Sequence, residues 1–322
     1  MHAHGAAAVT VAEPEPAWVS LFNRGAYHQL NLAEGDRALR LISTHDGREL
    51  GSLSGVLRDG RFINGHSAPF GGLDLSRERE TPANLDHVVR DVLDQLEELG
   101  VSEVELRLPP ASFGPGEPLV LFTLFNHGFA VARAELNQHL SLEHLADGPA
   151  YVASLKSPAR RALKHLAHTP FELVEVEDDP GWRRAYDILA ANRAAKGRAL
   201  SLSCDYVLRA RDALAPHVRM FELRTPEGPC AASLVYRVRP GREVVVAWGD
   251  SGHAFDRSPM NMLALRTVER ALAEDVRLLD LGISNEPDPV APLAVNHGLA
   301  QFKQSIGALT EPRLRLTRTI AP

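Results

Sequence analysis

Lys303 is one of four lysines in a chain that carries 31 arginines, and it directly follows Phe302 near the end of an apolar, helix-periodic stretch over residues 295–306. A cation at such a place can stabilise negative charge developing on a carbonyl oxygen, or it can simply complement the carbonyl end of a helix. Upstream, Asp280 sits between Leu279 and Leu281 in the short apolar run 278–283, followed by Ser284, Asn285, Glu286 and Asp288. An acid in a strand that reads as buried needs either a hydrogen-bonding partner or a chemical task. A third group lies between a strand ending at Trp248 and a helix opened by Ser258-Pro259. Gly249 and Gly252 occur there with Arg257, and free amides at a helix start favour phosphate, although Asp250 and Asp256 oppose it. A fourth is the run 151–170, which holds Lys156, Arg160, Arg161 and Lys164 and no acid. It suits a polyanion, or equally the solvated face of a helix whose apolar side is Leu155, Ala159, Leu163 and Leu166. The pair His165 and His168 lacks the cysteines or third ligand of a metal site, and no metal site is expected.

The elements that must position these residues are written twice. In the first half, strands over 39–44, 49–57 and 62–66 are joined by turns at Asp46-Gly47 and Asp59-Gly60, which are hairpin signals. In the second, strands over 218–224, 231–239 and 243–248 are joined at Glu227-Gly228 and Pro240-Gly241, and both turn glycines recur with the same shift of 181 residues. Each triplet leads into a helix (84–99 and 261–274), a short buried strand (103–108 and 277–283) and an apolar helix reaching Phe125 or Phe302. The second half adds, in front, a basic helix over 151–168, a strand over 171–177 and two helices near 181–193 and 205–213. A last strand spans 313–320.

Strand, helix pair, three antiparallel strands, helix, strand, helix, strand is an order that resembles the GNAT acyltransferase fold. Two such domains, the second opened by a basic helix, resemble the FemAB-type peptidoglycan peptidyltransferases and their BioF2-like acetyltransferase relatives. The residues carrying the resemblance are Leu278-Leu279-Asp280-Leu281-Gly282-Ile283, Asn296, Gly298-Leu299 and Phe302-Lys303-Gln304-Ser305-Ile306-Gly307, with Ala68-Pro69-Phe70-Gly71-Gly72 in the first half. The resemblance implies an α/β (α+β) chain of two tandem GNAT-like domains, each a mixed, mostly antiparallel sheet flanked by helices. Their expected bounds are 17–148 and 149–322 after a disordered tail over 1–16. It implies transfer of an acyl or aminoacyl group to a primary amine, with Lys303 and Asp280 catalytic. Phe302, Ser284, Asn285, Trp248 and Asn296 would meet substrate, and Arg160, Arg161, Lys164, Arg257 and Ser258 the donor's phosphates. No tightly bound cofactor is expected; the donor is aminoacyl-tRNA or an acyl-CoA, and the acceptor a small-molecule or cell-wall-precursor amine. The turn 248–258 departs from the (Gln/Arg)xxGx(Gly/Ala) cradle of CoA-dependent GNAT enzymes, which favours the tRNA donor. A non-catalytic scaffold is the further alternative, since Asn126 follows Phe125 where the second half has Lys303.

Composition sets the outer bounds. At 322 residues with 44% hydrophobic and 24% charged residues, the chain can build two cores of ordinary globular type. Nothing approaches about 18 uninterrupted apolar residues, so no membrane span is expected. Two cysteines make no disulfide framework, which points to a reducing, cytoplasmic setting. The net charge of −6 divides unevenly: residues 1–150 hold 11 Arg, no Lys and 21 acids, a net of −10, and the remainder is net +4. A polyanionic ligand should therefore meet the second half.

Overall fold

The computed structural model describes residues 15–252, 258–286 and 294–320. Arg257, Asp256, Asp288 and residues 1–14 of the expected tail lie outside them. The chain forms two compact units, Met1–Glu135 with Glu311–Pro322 (unit 1) and Leu136–Thr310 (unit 2).

Unit 1 contains α1 (Gly25–Asn31), β1 (Arg37–His45), β2 (Arg48–Arg58), β3 (Arg61–Ile63), β4 (Leu73–Leu75), α2 (Pro82–Glu98), β5 (Glu103–Arg107) and α3 (Glu117–Asn126). Its sheet runs β1-β2-β3-β5, antiparallel except for the parallel β3/β5 pair, with β4 also on β2. The turns behave as their residues require: Asp46, Gly47, Asp59 and Gly60 all take positive φ, the type I′ signature of a tight hairpin. Thr81 accepts the amide of Asn84 at 3.3 Å and Pro82 follows at the helix start. Leu85, Val88, Val89, Val92, Leu93 and Leu96 then form one buried face of α2, closing a core with Leu39, Leu41, Phe62 and Val104.

Next come β6 (Ala130–Ser141), α4 (Gly148–Ser154), α5 (Ser157–Leu166), β7 (Glu172–Glu175), α6 (Asp179–Ala194), α7 (Cys204–Ala213), β8 (Val218–Thr225), β9 (Gly228–Arg239), β10 (Arg242–Asp250), α8 (Met260–Ala273), β11 (Leu278–Ile283), α9 (His297–Ser305) and β12 (Leu309–Thr319). Unit 2 orders its strands β6-β11-β10-β9-β8-β7, again antiparallel except for the parallel β10/β11 pair. Arg61 opens the parallel pair of unit 1 and Arg242, 181 residues later, opens that of unit 2. The repeated turns thus report a repeated α/β unit.

Three expectations are corrected. The basic helix over 151–168 is two helices, because Pro158 cannot donate to the turn before it and opens α5 instead. β6 occupies a region in which no strand is legible. And the last strand, expected with the second half, pairs with β5 of unit 1, Arg315 facing Arg107 and Thr319 facing Glu103.

Candidate active site

A cavity of about 490 Å³ opens in unit 2 at the end of β10. Trp248 and Gly249 reach it from β10, Met260 and Asn261 from the first turn of α8, and Gly298, Leu299 and Phe302 from α9. Trp248 and Phe302 meet edge to face, ring centroids 5.7 Å apart, and with Leu299 and Met260 they give the cavity an apolar floor. Glycine is needed at 249 because Asn192 of α6 packs against it. A Cβ there would stand 2.7 Å from Asn192 Cγ, closer than side chains approach.

The wall facing this floor is cationic. Arg193, Lys196 and Arg198 line it from the end of α6 and the loop that follows. A polar chain ties them to β10: Lys196 Nζ donates to Asn192 Oδ1 at 2.8 Å, and Asn192 Nδ2 donates to Asp250 Oδ1 at 3.0 Å. Ser258 Oγ donates to Asp250 Oδ2 at 2.8 Å, so both oxygens of the one acid that lines the cavity among the described residues are engaged. Burial, then the neighbouring charge of Arg198, holds the Arg193 guanidinium below its ordinary value. Burial and Arg193 push the Lys196 ammonium down as well, against a smaller opposing pull from Asp250. Arg198 pairs with Glu286.

Behind the floor lies a buried polar frame. Asp280, fully buried in β11, accepts Asn137 Nδ2 of β6 at 2.9 Å and the Gly282 amide at 2.5 Å. Gly282 takes φ +71°, a left-handed conformation that a side chain would strain, and this turns the strand end so that its carbonyl faces α9. There the ammonium of Lys303, 1% exposed, donates to the carbonyls of Gly282 at 2.8 Å and Ile283 at 3.0 Å. Ser284 Oγ donates to Gln138 Oε1 at 2.6 Å, and Gln138 Nε2 donates to the Ala300 carbonyl of α9 at 3.1 Å. Asn285 Oδ1 accepts the Leu136 amide, and Asn296 caps α9 by accepting the Leu299 amide at 3.0 Å. The frame fixes β11, β6 and α9 to one another and holds Phe302 over the cavity.

Residues 153–289, from α4 through β11, match the family model described as an acetyltransferase (GNAT) domain. The chain carries a GNAT-superfamily acyltransferase domain. No curated protein matches it in sequence. In fold it is similar to a solved structure titled FemX, with a TM-score of 0.71 at 11% identity over 93% of this chain and 92% of that one. It is also similar to the C-terminal domain (DUF2156) of a putative lysylphosphatidylglycerol synthetase from Agrobacterium fabrum, with a TM-score of 0.55 at 14% identity over 88% and 84% of the two chains. L-PGS from Bacillus licheniformis gives 0.55 at 12% identity over 88% and 85%.

Within this GNAT domain the structure gathers some of the expected residues and not others. Trp248, Ser258, Asn296 and Phe302 line the cavity. Asp280, Ser284 and Lys303 are buried in the frame beneath it, and Asn285 joins its edge. Arg160, Arg161 and Lys164 are exposed on α5 and are not among the lining residues. Arg257 lies outside the described residues. Arg193, Lys196 and Arg198 line the cavity without belonging to any motif of the sequence; the one signal is that Lys196 is another of the four lysines and the three fall on one short stretch.

Proposed function

We propose that the unit 2 cavity is an N-acyl transfer site, in which the nitrogen of a primary amine attacks the carbonyl carbon of an activated acyl donor. A C–N bond forms, the C–S or C–O bond to the donor's carrier breaks, and the proton lost by the amine leaves with the carrier or to solvent. The observation that carries this reading is the opening at the end of β10. It joins the N-terminal turn of α8, an electropositive place for a donor's phosphates, to an aromatic floor wide enough for an acyl chain.

Asp280 and Lys303 act through the frame. Asp280 holds Gly282 in place, and Lys303, on the two carbonyls that end β11, adds a fixed positive charge under Phe302 that favours a developing oxyanion. On the donor, Asp250 keeps its negative charge, but Asn192 and Ser258 fix its carboxylate and its charge acts in part on Lys196, which leaves the start of α8 to a CoA pyrophosphate. This supports an acyl-CoA. A second reading, aminoacyl-tRNA, is supported by Arg160, Arg161 and Lys164. They are exposed together on α5 with no ion pair among the described residues, and they suit a phosphate backbone. The acceptor in either case is a small-molecule or cell-wall-precursor amine. Among the described residues no helix is long and apolar enough to cross a membrane.

The test is single-turnover transfer to amine acceptors from acetyl-CoA and from an aminoacylated tRNA minihelix, run on the whole chain and on Leu299→Trp, which fills the cavity. Transfer from one donor that Leu299→Trp lowers by 10²-fold or more is the expected result. Transfer unaffected by the filled cavity would place the chemistry elsewhere.

A further inference from the structure

Arg193, Lys196 and Arg198 bring three positive charges to one wall of a half-enclosed cavity, and like charges repel more strongly there than in open water. Proteins retain such an arrangement where an anion neutralises it. The acids among the described residues do so only in part, Asp250 acting on Lys196 and Glu286 on Arg198, and neither pairs with Arg193. Asp250 is the one carboxylate among the described lining residues, and its two oxygens accept from Asn192 and Ser258. Among the described residues Glu286 pairs with Arg198. The guanidinium of Arg193 lines the cavity, is largely withdrawn from solvent and forms no hydrogen bond or ion pair among the described residues. Its planar fork of donors is matched to a carboxylate or phosphate. These cations come from the end of α6 and the loop after it, and Asp250, which accepts from both Asn192 and Ser258, stands between them and the helix start at α8.

We propose that the cavity selects an amine acceptor that itself carries an anionic group, carboxylate or phosphate, held by Arg193 with Lys196 and Arg198 beside it. The cavity then has two electropositive elements, the start of α8 for the donor and the end of α6 for the acceptor, and the aromatic floor is where amine and acyl group meet. This rests on the acyl-transfer reading for the word acceptor, while the anion site itself does not. Lys196 contributes charge rather than a fork, because its ammonium is already turned to Asn192. Arg198 contributes less while Glu286 holds it.

Matched pairs test the proposal: L-alanine against L-alaninamide for the carboxylate, and phosphoethanolamine against ethanolamine for the phosphate. Each is titrated into the whole protein by ligand-observed NMR and then offered as acceptor in the transfer assay. The anionic member of at least one pair should bind 10-fold or more tighter than its neutral partner, a preference that shrinks as salt rises. Arg193→Gln should bring that ratio close to one, and Arg193→Lys should keep part of it. The pair that shows the preference names the group. Equal binding of charged and neutral members in both pairs, or an unchanged preference in folded Arg193→Gln, would overturn the proposal. Failure of the transfer reading looks different: no N-acylated product from any donor, with the NMR preference and its loss in Arg193→Gln intact.

Discussion

In unit 1 the third strand of the hairpin run, β3, stops at Ile63 after three residues, whereas β10 of unit 2 continues for nine and carries Trp248 and Gly249 to a cavity. Past Ile63 the chain turns inward. Asn64 donates to the Ser54 carbonyl at 2.7 Å and accepts the Gly72 amide at 2.6 Å, and Phe22, Tyr27, Phe70 and Phe113 pack edge to face beside it. Those four rings are 2% exposed or less. The helix starts differ in the same sense. Thr81 and Ser258 each accept an amide of their own helix at 3.3 Å, but Ser258 also donates its hydroxyl to Asp250 at the cavity. The comparison teaches that a duplicated scaffold can keep its turns and its parallel strand pair while the space beyond the third strand is filled in one copy and open in the other.

If that difference separates packing from chemistry, changes in the two units should fail in different ways. The largest effect is expected at Lys303. Lys303→Ala should lower turnover by about 10²-fold or more. Because it leaves two buried carbonyls without their donor, it should also cost roughly 2–3 kcal/mol of stability, read from denaturant unfolding. Near-normal turnover in the folded variant would reduce Lys303 to a structural cation.

Unit 1 should show its packing in its pH dependence. His28 is buried with neither ring nitrogen hydrogen-bonded among the described residues, and burial, then the nearby His66, pushes its pKa down to about 4. The folded value lies below the unfolded one of 6.5, so the stability is present above pH 6.5 and is lost as pH falls through the folded value. Between pH 7 and pH 4 this site should remove about 3 kcal/mol, and His28→Leu should flatten that part of the profile. An unchanged profile in the variant would assign the acid sensitivity to other groups.

A smaller effect is expected at Asn64. Asn64→Ala should destabilise by roughly 2 kcal/mol through its lost buried hydrogen bonds, with turnover per folded molecule unchanged. Reduced turnover at full folding would join unit 1 to the chemistry and break the comparison. The smallest effect is expected on α5. The triple change Arg160→Ala, Arg161→Ala and Lys164→Ala should leave stability and small-amine kinetics nearly untouched, and should flatten the salt dependence of binding only if the donor is a tRNA.

Much of the scaffold was legible because its signals are local. Asp59-Gly60 adopts the backbone its residues favour, and the stripes of α2 and α8 need only a period of 3.6. β6 was not legible, since Asn137, Gln138 and His139 place three polar residues in succession at buried positions, and what they satisfy comes from β11 and α9. Lys303 was legible as an unusual residue. Its burial was not, because the carbonyls it binds lie 21 and 20 residues away in sequence on another element. Arg193, Lys196 and Arg198 fall at the end of one expected helix and in the connection to the next, where no local motif marks them, and only the packing of β10 against α6 shows that they line a cavity.

The central claim, that ligand chemistry belongs to the open copy, is tested most directly by a crystal structure of the whole chain soaked with a non-reactive acyl-CoA analogue and with phosphoethanolamine. The account predicts density for a ligand over Trp248 and Phe302, its phosphates at the start of α8 or against Arg193, and the space beside Asn64 and Phe70 unchanged. A ligand seated in unit 1, with the unit 2 cavity empty at the same concentration, would contradict it.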